Sequence, residues 1–187
     1  AIVLPGLSRM GLPVPLGGTT LFLRRSVLTE LGAWDAHNVT EDADLGIRLA
    51  RRGYRTELLD TTTEEEANAW LWPWIRQRSR WLKGYLMTYV THMRAPGALW
   101  RDLGPRAFFA FQVLFLVTLA QILLAPVLWT WWAVPFAAVH PLHGHVGMAM
   151  FWIATGIMVA SEVVNLTLAT FALRRTEQRR LWPWALT

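Results

Sequence analysis

The chain has 187 residues, with 18 Lys and Arg against 13 Asp and Glu, and no Cys. Its hydrophobic share of 53% and mean hydropathy of +0.28 exclude a disordered tail protein. The lack of Cys excludes disulfide scaffolds and Cys-ligated metal sites, and the lack of a recognised reader motif argues against nucleic acid as a partner. Residues 107–173 carry one charged side chain, Glu162, so we expect a polar part followed by a membrane part.

The first 60 residues alternate predicted strands and helices. Glycines and prolines make residues 1–18 irregular. Two predicted strands follow: Thr19–Arg24 and Arg55–Asp60. Two short helices lie between them, each with a predicted N-cap and a terminal glycine: Ser26 with Gly32, and Thr40 with Gly53. The alternation predicts an α/β layer, and we expect its missing strands upstream of Ala1 because 60 residues cannot close such a layer.

Residues 73–93 form a predicted amphipathic helix with four basic side chains and an apolar stripe. Pro73 suits the first helical position. Three tryptophans precede the charges and suit the headgroup layer of a membrane: Trp70, Trp72 and Trp74. We expect this helix to lie in the membrane interface; the alternative is a helix packed on a soluble core.

Two long apolar segments, residues 107–132 and 146–173, are predicted membrane spans, and a third begins at residue 181. The positive-inside rule places 1–106 and 174–180 in the cytoplasm and 133–145 outside. Three histidines in that outer loop are more readily explained as solvated than as metal ligands: His140, His143 and His145. The predicted parts are therefore residues 1–72, 73–106 and 107–187, in a multi-pass protein of the inner membrane.

Two short motifs in the first part suggest chemistry. Residues 16–20 (LGGTT) place two glycines where backbone can approach a ligand closely. In Thr40-Glu41-Asp42, the aspartate falls at the second helical position, where the helix dipole favours an ionised carboxylate that could accept a proton. Taken alone, each motif is also explained by an ordinary turn or helix cap.

The third motif, Gln77-Arg78-Ser79-Arg80-Trp81, is a Q-x-x-R-W on the amphipathic helix. At about 100° per residue, Arg80 and Trp81 lie on either side of Gln77 and share its face. Arg can pair with phosphate oxygens in a fork, and Trp offers a flat surface to a sugar ring. The alternative is an interfacial helix that is merely rich in Arg and Trp.

The order GG-T, TED, QxxRW and then membrane spans resembles the membrane-embedded family 2 glycosyltransferases, which include cellulose, chitin and hyaluronan synthase-like enzymes. The resemblance implies that residues 1–72 are the C-terminal half of a GT-A type α/β domain, with Asp42 as the catalytic base. It implies substrate contacts, with nucleotide diphosphate and acceptor, by these residues: Gly17, Gly18, Thr19, Glu41, Gln77, Arg80 and Trp81.

One family feature is missing from the sequence. The Asp-x-Asp motif that binds a metal-coordinated diphosphate cannot be located, since Asp42-Ala43-Asp44 belongs to the TED helix. We therefore expect a fragment that is inactive alone, and a divalent metal (Mg or Mn) held mainly by residues outside it. An Asp-x-Asp upstream of Ala1 would support an enzyme.

The resemblance implies transfer of a sugar, with inversion, from a nucleotide-sugar donor (UDP-sugar first) to a growing polysaccharide. The metal and Arg80 would offset the charge of the leaving diphosphate. Two alternatives stay open: a glycolipid-forming transferase with a membrane lipid acceptor, and a non-catalytic membrane subunit for glycan export.

Two polar residues, Glu162 and Asn165, lie three positions apart in the second predicted span. A charged group in a membrane core costs about 2.5–3.5 kcal/mol on insertion scales and rarely faces lipid. We predict that this face turns inward, to make either helix–helix hydrogen bonds or a glycan path.

Overall fold

A computed structural model describes residues 3–59, 61, 63, 65–66, 68–130 and 147–175. The described chain forms seven α-helices: α1 (Val3–Arg9), α2 (Arg25–Glu30), α3 (Glu41–Arg51), α4 (Leu71–Met93), α5 (Pro96–Phe111), α6 (Thr118–Trp129) and α7 (Met148–Arg175). A π-helical turn, Gln112–Val117, joins α5 to α6. The chain divides into two units, one of residues 3–121 and one that includes residues 122–175.

The predicted α/β layer is wrong for the described residues, none of which forms a strand. In the first predicted strand, Thr20 adopts a positive φ of 57°, which turns the chain out of an extended path. In the second, the described residues 55–59 have no ladder partner, and Leu58 and Leu59 are exposed. A strand is stable only when a neighbour takes its backbone hydrogen bonds, and neither segment has one here. The polar part is thus helical where the prediction was the second half of a GT-A domain.

Helix α3 lies at the centre of the first unit and contributes to both of its hydrophobic clusters. Leu45 and Leu49 pack in a cluster with residues from α1 and the segment after it: Leu7, Val14 and Leu16. Ile47 packs in the other cluster with residues of α5 and the π-helical turn: Leu99, Phe111 and Phe115. Gly46 is required on α3 because a Cβ there would overlap the carbonyl oxygen of Val14.

The predicted ends of α3 agree with the structure. Thr40 stands at the N-cap position, and Gly53 follows the C-cap with a φ of 76°. The N–H of Gly53 donates to Ala50 O at 3.0 Å and that of Tyr54 to Leu49 O at 3.0 Å, which is a Schellman motif. For α2, Ser26 lies inside the helix and does not cap it, because the helix already starts at Arg25.

Helix α4 spans 23 residues and carries the whole QxxRW motif. It starts at Leu71, two residues before the predicted start at Pro73, because proline is tolerated throughout the first turn. In α5, Gly104 leaves helical geometry (φ 72°, ψ 169°) just before Pro105; helical backbone is disfavoured before a proline, and glycine permits the positive φ. The break separates the polar start of α5 from the apolar helix that continues after Pro105.

Two helical stretches are long and apolar enough to cross a membrane: Pro96–Trp129 and Met148–Arg174. They overlap the predicted spans at 107–132 and 146–173. In α7, the side chain of Glu162 is half-buried and that of Asn165 is exposed. The predicted outer loop with its three histidines, most of the basic run 174–180 and the predicted third span lie outside the described residues.

Candidate active site

Asp42 lies in the first turn of α3, against the glycine loop that precedes it by more than 20 residues. A Cβ at Gly18 would lie 3.3 Å from Asp42 Oδ2, so the loop backbone reaches the carboxylate because no side chain intervenes. The other carboxylate oxygen, Oδ1, accepts a hydrogen bond from the Ala43 N–H at 2.7 Å. The structure therefore brings the LGGTT and TED motifs together at one carboxylate.

Burial raises the pKa of Asp42 above its ordinary value of 3.8, and the charge of Glu41 raises it further. Hydrogen bonds from backbone N–H groups, including that of Gly18, oppose the shift without cancelling it. The sequence predicted a dipole effect that favours the ionised form, so the direction differs from that expectation. Desolvation of a half-buried carboxylate outweighs the helix terminus here.

The N-cap residue Thr40 connects the TED helix to α4. Its side chain forms no cap hydrogen bond; its hydroxyl faces Asn38 Oδ1 at 3.4 Å, and a Cβ at Gly84 would overlap it. One turn further along α4, the fully buried Thr88 accepts a hydrogen bond from Asn38 Nδ2 at 2.8 Å. The explanation of Thr40 as a plain side-chain cap thus fails, since the residue acts as a packing contact between helices.

Tyr85, the neighbour of Gly84 on α4, lies within electrostatic reach of Asp42. Burial raises the pKa of the Tyr85 hydroxyl, and the charge of Asp42 raises it further. Its ring packs against Phe115 with centroids 4.9 Å apart. The α4 face that carries QxxRW therefore continues directly toward the carboxylate.

The three QxxRW side chains lie at the exposed start of α4. Gln77 is half-buried and its Oε1 accepts a hydrogen bond from Asn68 Nδ2 at 3.0 Å. Arg80 is exposed and forms no ion pair with any residue that the structure describes. Trp81 is 43% exposed. An amide, a guanidinium and an indole are thus available to a ligand on one face.

Arg78, one of the unspecified positions of the motif, stacks between two tryptophans. Its guanidinium carbon lies 4.5 Å from the Trp81 ring centroid and 5.6 Å from that of Trp74. Sequence reasoning counted Arg78 only as a charge on the helix. The i, i+4, i+7 spacing of residues 74, 78 and 81 was the signal that could have predicted the stack.

A buried polar network that sequence reasoning missed connects α3, α4 and α5. His92 Nε2 lies 3.0 Å from Asp44 Oδ1, and both residues are 4% exposed. Arg48 Nε donates to Asp44 Oδ2 at 2.8 Å. Arg51 NH1 lies 3.1 Å from His92 Nδ1, and Arg51 also pairs with Asp102 at 2.6 Å. Burial acts to raise the pKa of Asp44, but hydrogen bonds from His92 and Arg48 outweigh it and hold that pKa below 3.8.

The described residues do not fit a metal centre. They contain no cluster of three or more His, Asp or Glu side chains. Both oxygens of Asp44 accept hydrogen bonds from side chains, so Asp42-Ala43-Asp44 does not provide a pair of free carboxylates.

The remaining predicted site residues divide between two places. Glu41 is half-buried beside Asp42 at the start of α3. Gly17 and Thr19 line a separate groove of about 740 Å³, between residues 14–24 and the segment that begins at Tyr54. Asp42 and the QxxRW residues do not line that groove. The glycine loop thus has one side at the carboxylate and one at the groove.

The chain is similar in sequence to known proteins. Residues 6–173 match the family model described as glycosyl transferase family group 2. The chain is 39% identical over 69 residues to the probable glycosyltransferase YdaM of Bacillus subtilis, covering 36% of this chain and 16% of that protein. It is 31% identical over 83 residues to the beta-monoglucosyldiacylglycerol synthase of Synechocystis, covering 42% of this chain and 17% of that protein. The matched region is thus about a sixth of each relative's length. No solved structure matches the chain.

Proposed function

The chain belongs to glycosyl transferase family group 2, and from that membership we propose that it supplies the catalytic base and the acceptor-side residues of a membrane-bound, inverting glycosyltransferase. The observation that carries the proposal is the contact of the TED motif with both the glycine loop and the helix that carries QxxRW. Gly18 lies against Asp42, and Gly84, three residues after Trp81, lies against Thr40. A half-buried carboxylate with a raised pKa therefore lies on a helix that packs against α4, the helix that carries the amide, the guanidinium and the indole.

In the proposed step, Asp42 accepts the proton of the acceptor hydroxyl as its oxygen attacks the anomeric carbon of the donor sugar. The bond from that carbon to the diphosphate oxygen breaks, and the nucleoside diphosphate leaves with the bonding electrons from the opposite face. A raised pKa makes the ionised Asp42 a stronger base. The donor we propose is a nucleotide-sugar, with UDP-sugar as the first candidate.

Two QxxRW side chains have distinct proposed roles. Arg80 is exposed and without an ion pair among the described residues, so its guanidinium can pair with diphosphate oxygens. Trp81 presents an indole on which the acceptor ring can stack, which would aim its hydroxyl at Asp42 and save orientational entropy. A divalent metal that neutralises the diphosphate would be held by residues outside this sequence.

Membrane attachment is the second part of the proposal. Trp70 and Trp72 at the start of α4 are 78% and 71% exposed, and three Arg side chains follow them: Arg76, Arg78 and Arg80. Exposed indoles next to basic groups suit a headgroup layer. With the two apolar helical stretches, this supports a site held at the cytoplasmic surface of the inner membrane.

The acceptor has two candidate classes. A growing polysaccharide is the first, because a QxxRW patch resembles that of polysaccharide synthases. A membrane lipid is the second, because one similar protein is named beta-monoglucosyldiacylglycerol synthase. Membranes that contain the full-length protein, incubated with labelled UDP-sugars, distinguish them: labelled glycolipid partitions into organic solvent, whereas polymer stays in the aqueous phase.

The proposal is tested by Asp42→Asn in the same membranes, with Asp35→Asn as the matched control. Asp35 accepts a backbone hydrogen bond from His37 at 2.9 Å, a bond that asparagine preserves. We expect Asp42→Asn to lower sugar transfer by about two orders of magnitude or more and to preserve nucleotide binding, while Asp35→Asn transfers normally. Near-normal transfer by Asp42→Asn would overturn the base assignment.

A further inference from the structure

Side-chain contacts, more than the segment that connects the two helices, position α4 relative to Asp42 on α3. Asp42 is on α3 and Trp81 is on α4, and the described residues between 52 and 70 contain no helix or strand. Direct contacts of α4 with α3 and with the residues just before it must therefore hold the two groups in register.

Those contacts occupy one stripe of α4, at residues 84, 88 and 92. Gly84 lies against Thr40, Thr88 bonds Asn38, and His92 meets Asp44. Positions four apart share a helix face, and Trp81 and Gln77 precede Gly84 by three and seven positions on that same face. The stripe that docks on α3 thus continues into the stripe that carries QxxRW.

Of these three contacts, the one made by His92 involves both nitrogens of its ring. The Arg51 guanidinium can only donate hydrogen bonds, so at 3.1 Å from NH1 the His92 Nδ1 atom must be the acceptor. The proton of the neutral ring is then on Nε2, which donates to Asp44 Oδ1 at 3.0 Å. The edge of Phe111 closes the other side of the ring, with centroids 6.0 Å apart. Both ring nitrogens and the tautomer are therefore fixed.

We propose that His92 is a positioning residue for sugar transfer: through its Nε2–H bond to Asp44 it holds the helix of the base in register with the acceptor-binding face of α4. The inference rests on the proposed function, because it assumes that Asp42 is the base. His92 contacts neither substrate; it acts through Asp44, two residues beyond Asp42 on α3. Loss of the bond should disturb transfer to a stacked acceptor more than hydrolysis of the donor by water, since water needs no alignment with Trp81.

The experiment compares the ratio of transfer to donor hydrolysis in membranes that contain the full-length enzyme. His92→Gln can place an amide N–H near the position of Nε2 and preserve the bond to Asp44. His92→Asn is too short to reach Asp44 but can still accept from Arg51. Tyr89→Phe is the matched control, because it removes one hydrogen bond of α4 and leaves the ring in place; that bond goes to Gln112 of the π-helical turn at 3.0 Å, not to α3.

We expect His92→Asn to lower the ratio of transfer to hydrolysis by about tenfold or more, and His92→Gln and Tyr89→Phe to stay near the unmodified enzyme. Equal ratios in the Asn and Gln variants, or losses of transfer and hydrolysis that both follow protein abundance, would overturn the inference. Asp42→Asn in parallel separates the two proposals. Near-normal transfer there removes the premise, whereas loss there with an unchanged ratio in His92→Asn refutes the positioning role alone.

Discussion

Gly84 of α4 lies so close to Thr40 that a Cβ at position 84 would overlap the threonine side chain. Thr40 is itself buried and backed by Asn38, whose amide bonds both the Thr40 N–H and the hydroxyl of Thr88. These hydrogen bonds hold the threonine against the helix. The TED motif and the QxxRW helix are therefore joined at a contact that only glycine permits.

We predict that Gly84→Ala separates α4 from Thr40 and lowers both stability and sugar transfer. Overpacking of this kind costs about 1–3 kcal/mol, which exceeds the gain of up to about 1 kcal/mol expected for alanine in a helix. Gly97→Ala on α5 is the control, because nothing lies within 4 Å of a Cβ there. The measurement is the thermal midpoint of the detergent-purified enzyme. A midpoint that rises equally in both variants would mean that the two helices do not touch at Gly84.

The fall of the sugar-transfer rate at low pH should reflect protonation of the Asp42 carboxylate. Its pKa is raised above 3.8 by burial, and the proposed transfer step needs the ionised carboxylate. Activity should therefore be constant above that raised pKa and be lost as the pH falls through it. The check is transfer rate against pH at saturating donor.

The same shift gives a signature in stability. A raised folded-state pKa means that the ionised carboxylate costs stability at pH values above it, and that the cost disappears as the pH falls through it. Asp42→Asn should thus be inactive yet at least as heat-stable as the unmodified enzyme at pH 7. If Asp42→Asn is markedly less stable at pH 7, the prediction of equal or higher stability is wrong. The loss of activity is then explained by misfolding.

The ends of α3 were predictable because their signals are local, whereas α1 (Val3–Arg9) forms in residues that were predicted to be irregular. Thr40 and Gly53 bracket α3, and a glycine with positive φ past the last turn is required by the backbone itself. Strands are different, since their hydrogen bonds go to neighbours elsewhere in the chain. The pattern at Thr19–Arg24 suits a strand, but the described residues supply no partner and Thr20 turns the chain.

In the candidate site, too, some features could be predicted from the sequence and others could not. The order of the motifs predicted that Asp42, the glycine loop and QxxRW belong together, and the structure brings Gly18 and Gly84 to the TED residues. The order of the motifs did not predict the contact of His92 with Asp44, because a lone histidine on a helix gives no local signal of its partner. Only the fold brings Asp44 within 3.0 Å of it, across 48 positions of sequence. The sequence also misjudged the direction of the Asp42 pKa, since burial is a tertiary effect.

Arg78 should tune acceptor binding through the ring of Trp81. Its guanidinium lies over the indole at 4.5 Å from the centroid, and cation–π contacts at exposed sites contribute about 0.5–1 kcal/mol. Arg78→Gln should raise the KM for acceptor by about two- to fivefold, because the indole loses its support. Arg76→Gln is the control, as an exposed arginine on the same helix for which no ring contact is found among the described residues. Equal changes in both variants would point to lost positive charge at the membrane surface.

Glu162 and Asn165 give a prediction for the membrane part. Glu162 is half-buried and Asn165 exposed on α7, and a carboxylate at that depth is rarely left against lipid. We expect their face to be shielded from acyl chains in the intact enzyme, by helix contacts or along a water-filled glycan path. This chain contains no Cys, so single cysteines along 158–169 give a clean readout of labelling within it.

Two thiol reagents separate the possibilities for this face. A packed contact between helices predicts that neither a water-soluble nor a lipid-phase reagent labels positions 162 and 165. A glycan path predicts labelling by the water-soluble reagent, and bound glycan should block it. Positions between them on the opposite face, such as Val164, serve as the lipid-facing comparison, since that residue is exposed and apolar. Strong labelling of position 162 by the lipid-phase reagent would contradict both versions, because it would place the carboxylate against the acyl chains.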